Sequence, residues 1–257
     1  MKFLQSLSAQ VSLFTQGAIL ALGVVFILFD VITESLNPVI DLAWVTVLVC
    51  GLPLLINSVQ SIWERLEIHA NFLIVVAMVA LISIGDYHTA AYVGLIVQAG
   101  FFLEQLITGE SHYTVDDDML PTMPAQLVAM RQGINNYSSV IVVAVLLLSM
   151  GSFALTQDFK HTVTLLLVLC PCSLELILVA LMMGSLVDDA SPVSELSKGT
   201  KQSHLGLLIV SIVFHVAIIG AGVLGFIDPV TAVALHGLAR LGLVYNLKVL
   251  NGSLCIA

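Results

Sequence analysis

The chain has 257 residues, 59% of them hydrophobic and only 10% charged, with a mean hydropathy of +1.07 and a formal net charge of −9. A soluble domain of this length cannot bury so much apolar side chain, so the excess must meet lipid. This excludes an ordinary soluble enzyme or binding module.

A spanning helix needs roughly 20 apolar residues, and about eight such runs follow one another along the chain. The first, Leu13–Phe29, is not read as a signal peptide. It starts late, only Lys2 precedes it as a basic residue, and no small-residue cleavage site separates it from the next run. Val39–Asn57 is the second. Ala70–Gly85 and His88–Ile107 follow, joined by Asp86 and Tyr87. The polar stretch Thr108–Tyr137 comes next, with Glu110, His112, Asp116, Asp117 and Asp118 clustered in it. It is a solvated loop or a weak cation-collecting vestibule. The remaining runs are Ser138–Thr156, His161–Met183, His204–Gly225 and Pro229–Leu250.

Neither Thr108–Tyr137 nor Gly184–Ser203 can hold a catalytic domain, which needs about 50 residues or more. The expected fold class is all-α: a polytopic membrane protein with eight transmembrane helices in one bundle. It forms one domain over 1–257, with two leading helices at 13–57, a six-helix core at 70–250 and short cytosolic loops at 108–137 and 184–203. Lys2, Arg65, Arg131, Lys198, Lys201 and Lys248 then lie on the inner side or at inner span ends, Lys160 lies outside, and Arg240 lies within a span. That bias places both termini in the cytosol.

The segment that carries chemistry is Leu169-Cys170-Pro171-Cys172-Ser173-Leu174-Glu175, in the middle of the sixth run. Proline inside a helix removes a backbone hydrogen bond and clashes with the carbonyl one turn earlier. Lipid cannot satisfy the freed groups, so such a break faces protein, water or an ion. Cys170 and Cys172 flank it, and thiolates are soft ligands for copper(I) or zinc. Glu175 stands about one turn beyond Cys172 and can share its face. An intramembrane carboxylate is costly and marks a functional site. The plain alternative is that cysteine in a span is a small apolar filler and proline a simple kink. No disulfide framework is expected among Cys50, Cys170, Cys172 and Cys255, because Cys170 and Cys172 are too close for an easy bridge.

Cys-Pro-Cys in the sixth span resembles the hallmark of the heavy-metal transporting P-type ATPases. The resemblance runs from the second span to the end of the chain. Asn71 to Glu104 is similar to the family's third and fourth spans, with Gly85-Asp86-Tyr87-His88-Thr89-Ala90-Ala91 at the turn and Leu103-Glu104 at the cytosolic mouth. Leu120 to Gly133 resembles the segment that opens the actuator domain, through Pro124, Ala125, Arg131 and Gly133. Asp228-Pro229 and Asn246-Leu247-Lys248-Val249-Leu250 resemble the start and end of the last span. The resemblance implies that Glu104 lies on the metal's access path. It also places His236 where the family's subgroups carry methionine, aspartate or histidine as ligand. His215, in the seventh span, stands where the family has asparagine or lysine. By itself it is a hydrogen-bonded packing residue; beside His236 and Cys-Pro-Cys it is a third kind of ligand. The expected metal set is thus Cys170, Cys172, Glu175, His215 and His236. The metal is a transition-metal ion, with copper, zinc, iron and cobalt not distinguished.

The departures from the family are as informative. The phosphorylated Asp-Lys-Thr-Gly-Thr is missing, and Ser197-Lys198-Gly199-Thr200 lacks the aspartate. No nucleotide-binding domain fits in Gly184–Ser203. Thr108-Gly109-Glu110-Ser111 spells the actuator tetrapeptide but follows the fourth span directly, so it is a coincidence. No ATP hydrolysis, catalytic residue or ATP binding is expected. Gly237-Leu238-Ala239-Arg240 completes no family signature. Arg240 is expected to snorkel to the headgroups or to pair with a carboxylate such as Glu175. Two functions remain open. One is a passive or partner-driven metal conduit fed from Glu104. The other is a non-transporting scaffold, anchor or assembly subunit. The expected partners are the lipid bilayer and a metal chaperone or a larger membrane complex, with no nucleic acid. The expected location is the bacterial inner membrane.

Overall fold

A computed structural model of the chain describes residues 13–34, 43–65, 71–108, 125–170 and 196–254. Among these residues there are eight α-helices and no strand. They are α1 (Leu13–Glu34), α2 (Ala43–Arg65), α3 (Asn71–Ser83), α4 (Tyr87–Thr108), α5 (Ala125–Thr156), α6 (Phe159–Val168), α7 (Leu196–Val223) and α8 (Pro229–Leu254). Three are long and apolar enough to cross a membrane, over Thr15–Ile32, Ala43–Gln60 and Tyr137–Thr156. Shorter apolar helical stretches lie at Asn71–Ser83, Phe159–Val168, Ile209–Val223 and Pro229–Tyr245. Only 11% of the α1 span and 17% of the α5 span is buried. Their Leu, Val, Ile and Phe side chains face outward, the pattern that lipid contact requires and water forbids.

Three turns open the next helix on an aspartate, and two of them close the preceding helix on a glycine, the third having Gln157 at φ 56° instead. α3 ends on Gly85, at φ +80°, with Gly85 N–H donating to the Ile82 carbonyl and Asp86 N–H to that of Leu81. α7 ends in the same way on Gly225, at φ +72°, with Gly225 bonded to Gly222 and Phe226 to Ala221. This is the left-handed cap that glycine adopts without a Cβ penalty. An aspartate then opens the next helix. Asp86 accepts from Thr89 N–H, Asp158 accepts from the N–H groups of Lys160 and His161, and Asp228 accepts from the Thr231 hydroxyl. Asp86 and Asp158 thereby satisfy N–H donors that a helix start leaves unpaired. Pro229 follows Asp228 at the first helical position, where its missing N–H costs nothing.

α4 is the hub. It packs against α1, α2, α3 and, most extensively, α8. α6 forms the second junction, with α3, α5, α7 and α8 around it. Close approach of α1, α2 and α4 relies on small residues: a Cβ on Gly23 would stand 2.9 Å from both Cys50 Sγ and Leu95 Cδ1. Two polar ties join the turn ends. Lys160 Nζ lies 2.8 Å from Asp86 Oδ2, and His88 Nδ1 lies 3.2 Å from Asp30 Oδ2. Burial raises the Asp86 carboxyl, but the bonds from Lys160 and Thr89 outweigh it and hold it below the usual carboxylate range. The same bond to Asp86 raises the Lys160 ammonium above its ordinary value.

Several boundaries differ from expectation. α5 begins at Ala125, inside the stretch assigned to the 108–137 loop, and is 32 residues long. At 1.5 Å per residue it is about 48 Å long, well beyond the roughly 30 Å hydrocarbon layer. Helical structure continues there into polar sequence, which hydropathy alone does not register. α7 likewise begins at Leu196, inside the stretch assigned to the 184–203 loop. The acidic cluster Glu110–Asp118 lies outside the described residues. α2 continues to Arg65 with Pro53 inside it.

Candidate metal centre

The sixth helix stops just before Cys-Pro-Cys. α6 ends at Val168, and Leu169 caps it at φ −83°, ψ 4°, its N–H bonded to the Leu165 carbonyl. Cys170 is non-helical and 4% exposed. The ring of Pro171 explains the early stop, since residues before a proline avoid helical geometry. Pro171, Cys172 and Glu175 lie outside the described residues, so two members of the expected ligand set have no described position. Cys170 itself is disulfide-bonded, while Cys50 is free. This corrects the expectation that no disulfide forms. A half-cystine has no thiolate to offer a metal, so Cys170 becomes a ligand only on reduction.

The two histidines do meet. His215 of α7 and His236 of α8 have ring centroids 5.4 Å apart and planes at 81°, edge to face. They are only 8% and 7% exposed. Sequence places them there through helix geometry: α7 ends at the Gly225 cap, Asp228 restarts the chain as α8, and the antiparallel pair brings the middles of both helices level. His215 Nδ1 lies 3.0 Å from the Ser211 carbonyl one turn earlier. A carbonyl can only accept, so in the neutral ring Nδ1 carries the proton and Nε2 keeps its lone pair. Among the described residues His215 Nε2 has no hydrogen-bond partner, and neither does Nδ1 or Nε2 of His236. Each such buried group costs about 1–3 kcal/mol unless something pairs with it. A backbone carbonyl behind one nitrogen and a free lone pair on the other is how a ligating histidine is held.

Glu104 and Arg240 are where the sequence expectation changes most. Arg240 pairs with Glu104: Nη2 lies 2.9 Å from Oε2 and 3.3 Å from Oε1. The guanidinium carbon stands 5.2 Å from the centre of the Phe101 ring. Both side chains are about four-fifths buried, at 23% and 20% exposed. An expected carboxylate pair thus forms with Glu104, Glu175 lying outside the described residues, and the carboxylate expected to admit metal already holds a cation. Desolvation drives this choice: a guanidinium among apolar helices is stabilised by whichever carboxylate it can reach. A cavity of about 40 Å³ adjoins the pair, lined by Ile74, Val97, Phe101, Gly237, His236 and Arg240.

Sequence reasoning missed Phe101 and Ser211 as supports of the site. His236 and Arg240 carry a readable signal, because positions four apart share one helix face. Among the described residues no group of three or more His, Cys, Asp or Glu converges. The described centre is therefore a histidine pair beside a neutralised arginine. No protein-family model, no curated protein and no solved structure matches the chain.

Proposed function

We propose that this chain is a membrane protein shaped like the transport core of a heavy-metal P-type ATPase, with eight spans and both termini cytosolic, that binds a transition-metal ion within the bilayer and does not use ATP. The observation that carries this is the buried pair His215–His236, with His215 Nε2 and both His236 nitrogens unpartnered. Two neutral imidazoles in an apolar setting are ligands for copper, zinc, iron or cobalt. Cys-Pro-Cys and Glu175 would complete the set from the chain that continues α6.

A second function, a non-transporting scaffold or assembly subunit, is favoured by one specific observation. Arg240 occupies Glu104, the carboxylate that would admit a cation, one helical turn from His236. The pair is neutral, so the path offers an entering cation no free carboxylate at this point. The metal content of purified protein decides between them. A bound ion that is lost in His215→Ala with His236→Ala supports the metal centre. Wild-type protein that stays metal-free after reduction and loading with each of the four ions leaves the scaffold.

A further inference from the structure

The cavity beside Arg240 has a chemistry that the metal reading does not use. It measures about 40 Å³ and lies between α3, α4 and α8. A cavity holds a water once it offers about 10–15 Å³ of such volume and polar partners, so this one admits a small number of waters and little else. Two of its lining residues bring unpartnered polar atoms: Nε of Arg240, and Nδ1 and Nε2 of His236. His236 is 7% exposed. The rest of the lining is apolar and offers these atoms nothing.

We propose that this cavity is a hydration site, in which a bound water bridges Arg240 Nε and a ring nitrogen of His236. The atom types match. Arg240 Nε–H can only donate, and a neutral imidazole has one nitrogen that can only accept. One water accepts from the first and donates to the second. Neither a cation nor an anion gains much there, because Arg240 and Glu104 already neutralise each other. Gly100 and Gly237 are among the residues that line the cavity, and a Cβ added at either would meet no atom within 4 Å. The water joins the Glu104–Arg240 pair to the His215–His236 pair as one polar string across α4, α8 and α7. A metal held by His236 would take that same accepting nitrogen, so this water belongs to the metal-free chain.

Solid-state NMR of the full chain in lipid bilayers, with chelator present, tests this through magnetisation transfer from water to side-chain nitrogens. The expected result is transfer to His236 and Arg240 Nε as rapid as to the half-exposed ring of His88. That transfer to Arg240 Nε should be lost in His236→Phe, which keeps a ring of similar bulk but offers the water no accepting nitrogen. If His236 and Arg240 Nε receive no more than the fully buried Val93, or if xenon occupies the cavity in the wild-type chain, the proposal is overturned. Because the chelator removes metal, this outcome is separate from that of the metal-content experiment.

Discussion

Arg240 of α8 reaches across to Glu104 of α4 and holds it with Nη2 2.9 Å from Oε2, on the helix pair with the most extensive contact in the molecule. Residues 136 positions apart thereby neutralise each other inside an apolar bundle. Removing one partner leaves the other buried and uncompensated, which costs far more than the pair contributes.

This gives a signed prediction. Arg240→Ala should destabilise the fold by about 3 kcal/mol, the low end for a broken buried pair because each side chain keeps some exposure. Adding Glu104→Gln should restore most of that loss. Unfolding of the single and double variants in bicelles measures both, and strictly additive losses would contradict the pairing.

The Asp86–Lys160 tie predicts a pH window. Asp86 has a lowered folded value, so its contribution is present above its unfolded value near 4 and is lost as pH falls through the lower folded one. Lys160 has a raised value, so its share is present below about 10.4 and is lost as pH rises through the folded value. The ammonium is largely exposed, so the pair contributes no more than about 1 kcal/mol. Asp86→Asn should flatten the acid limb of a stability–pH curve, and an unchanged limb would count against the tie.

Of the two neutral tautomers, His215 should adopt the one protonated at Nδ1, because only that one can donate to the Ser211 carbonyl. Imidazole ¹⁵N shifts of selectively labelled protein distinguish the two forms. A proton on Nε2 would remove the lone pair on which the metal centre depends.

Gly23→Ala should destabilise more than Gly94→Ala. A methyl at Gly23 lands 2.9 Å from the Sγ of fully buried Cys50, a short side chain with nowhere to turn. At Gly94 the 2.9 Å contact is the Cε of Met78, the end of a flexible chain. Overpacking costs about 1–3 kcal/mol where neighbours cannot move. Thermal melts of the two variants in one detergent give the order directly.

The candidate metal centre was only partly legible in the sequence. Cys-Pro-Cys announced a break, and α6 does end at Val168, since proline acts on the residues next to it. His236 and Arg240 share a face by spacing alone. That Glu104 answers Arg240 was hidden, because either carboxylate satisfied the chemical argument equally well.

What the sequence determined by itself is local and compositional. Apolar excess demands lipid, and the Gly85-Asp86 and Gly225…Asp228 signals end one helix and start the next through bonds spanning no more than five residues. The tertiary structure alone decided which side chains meet: Arg240 with Glu104, His215 with His236, and Cys170 in a disulfide. Those pairings depend on how far each helix is rotated and at what angle it crosses its neighbours. Many packing contacts set these quantities together, and no single segment encodes them.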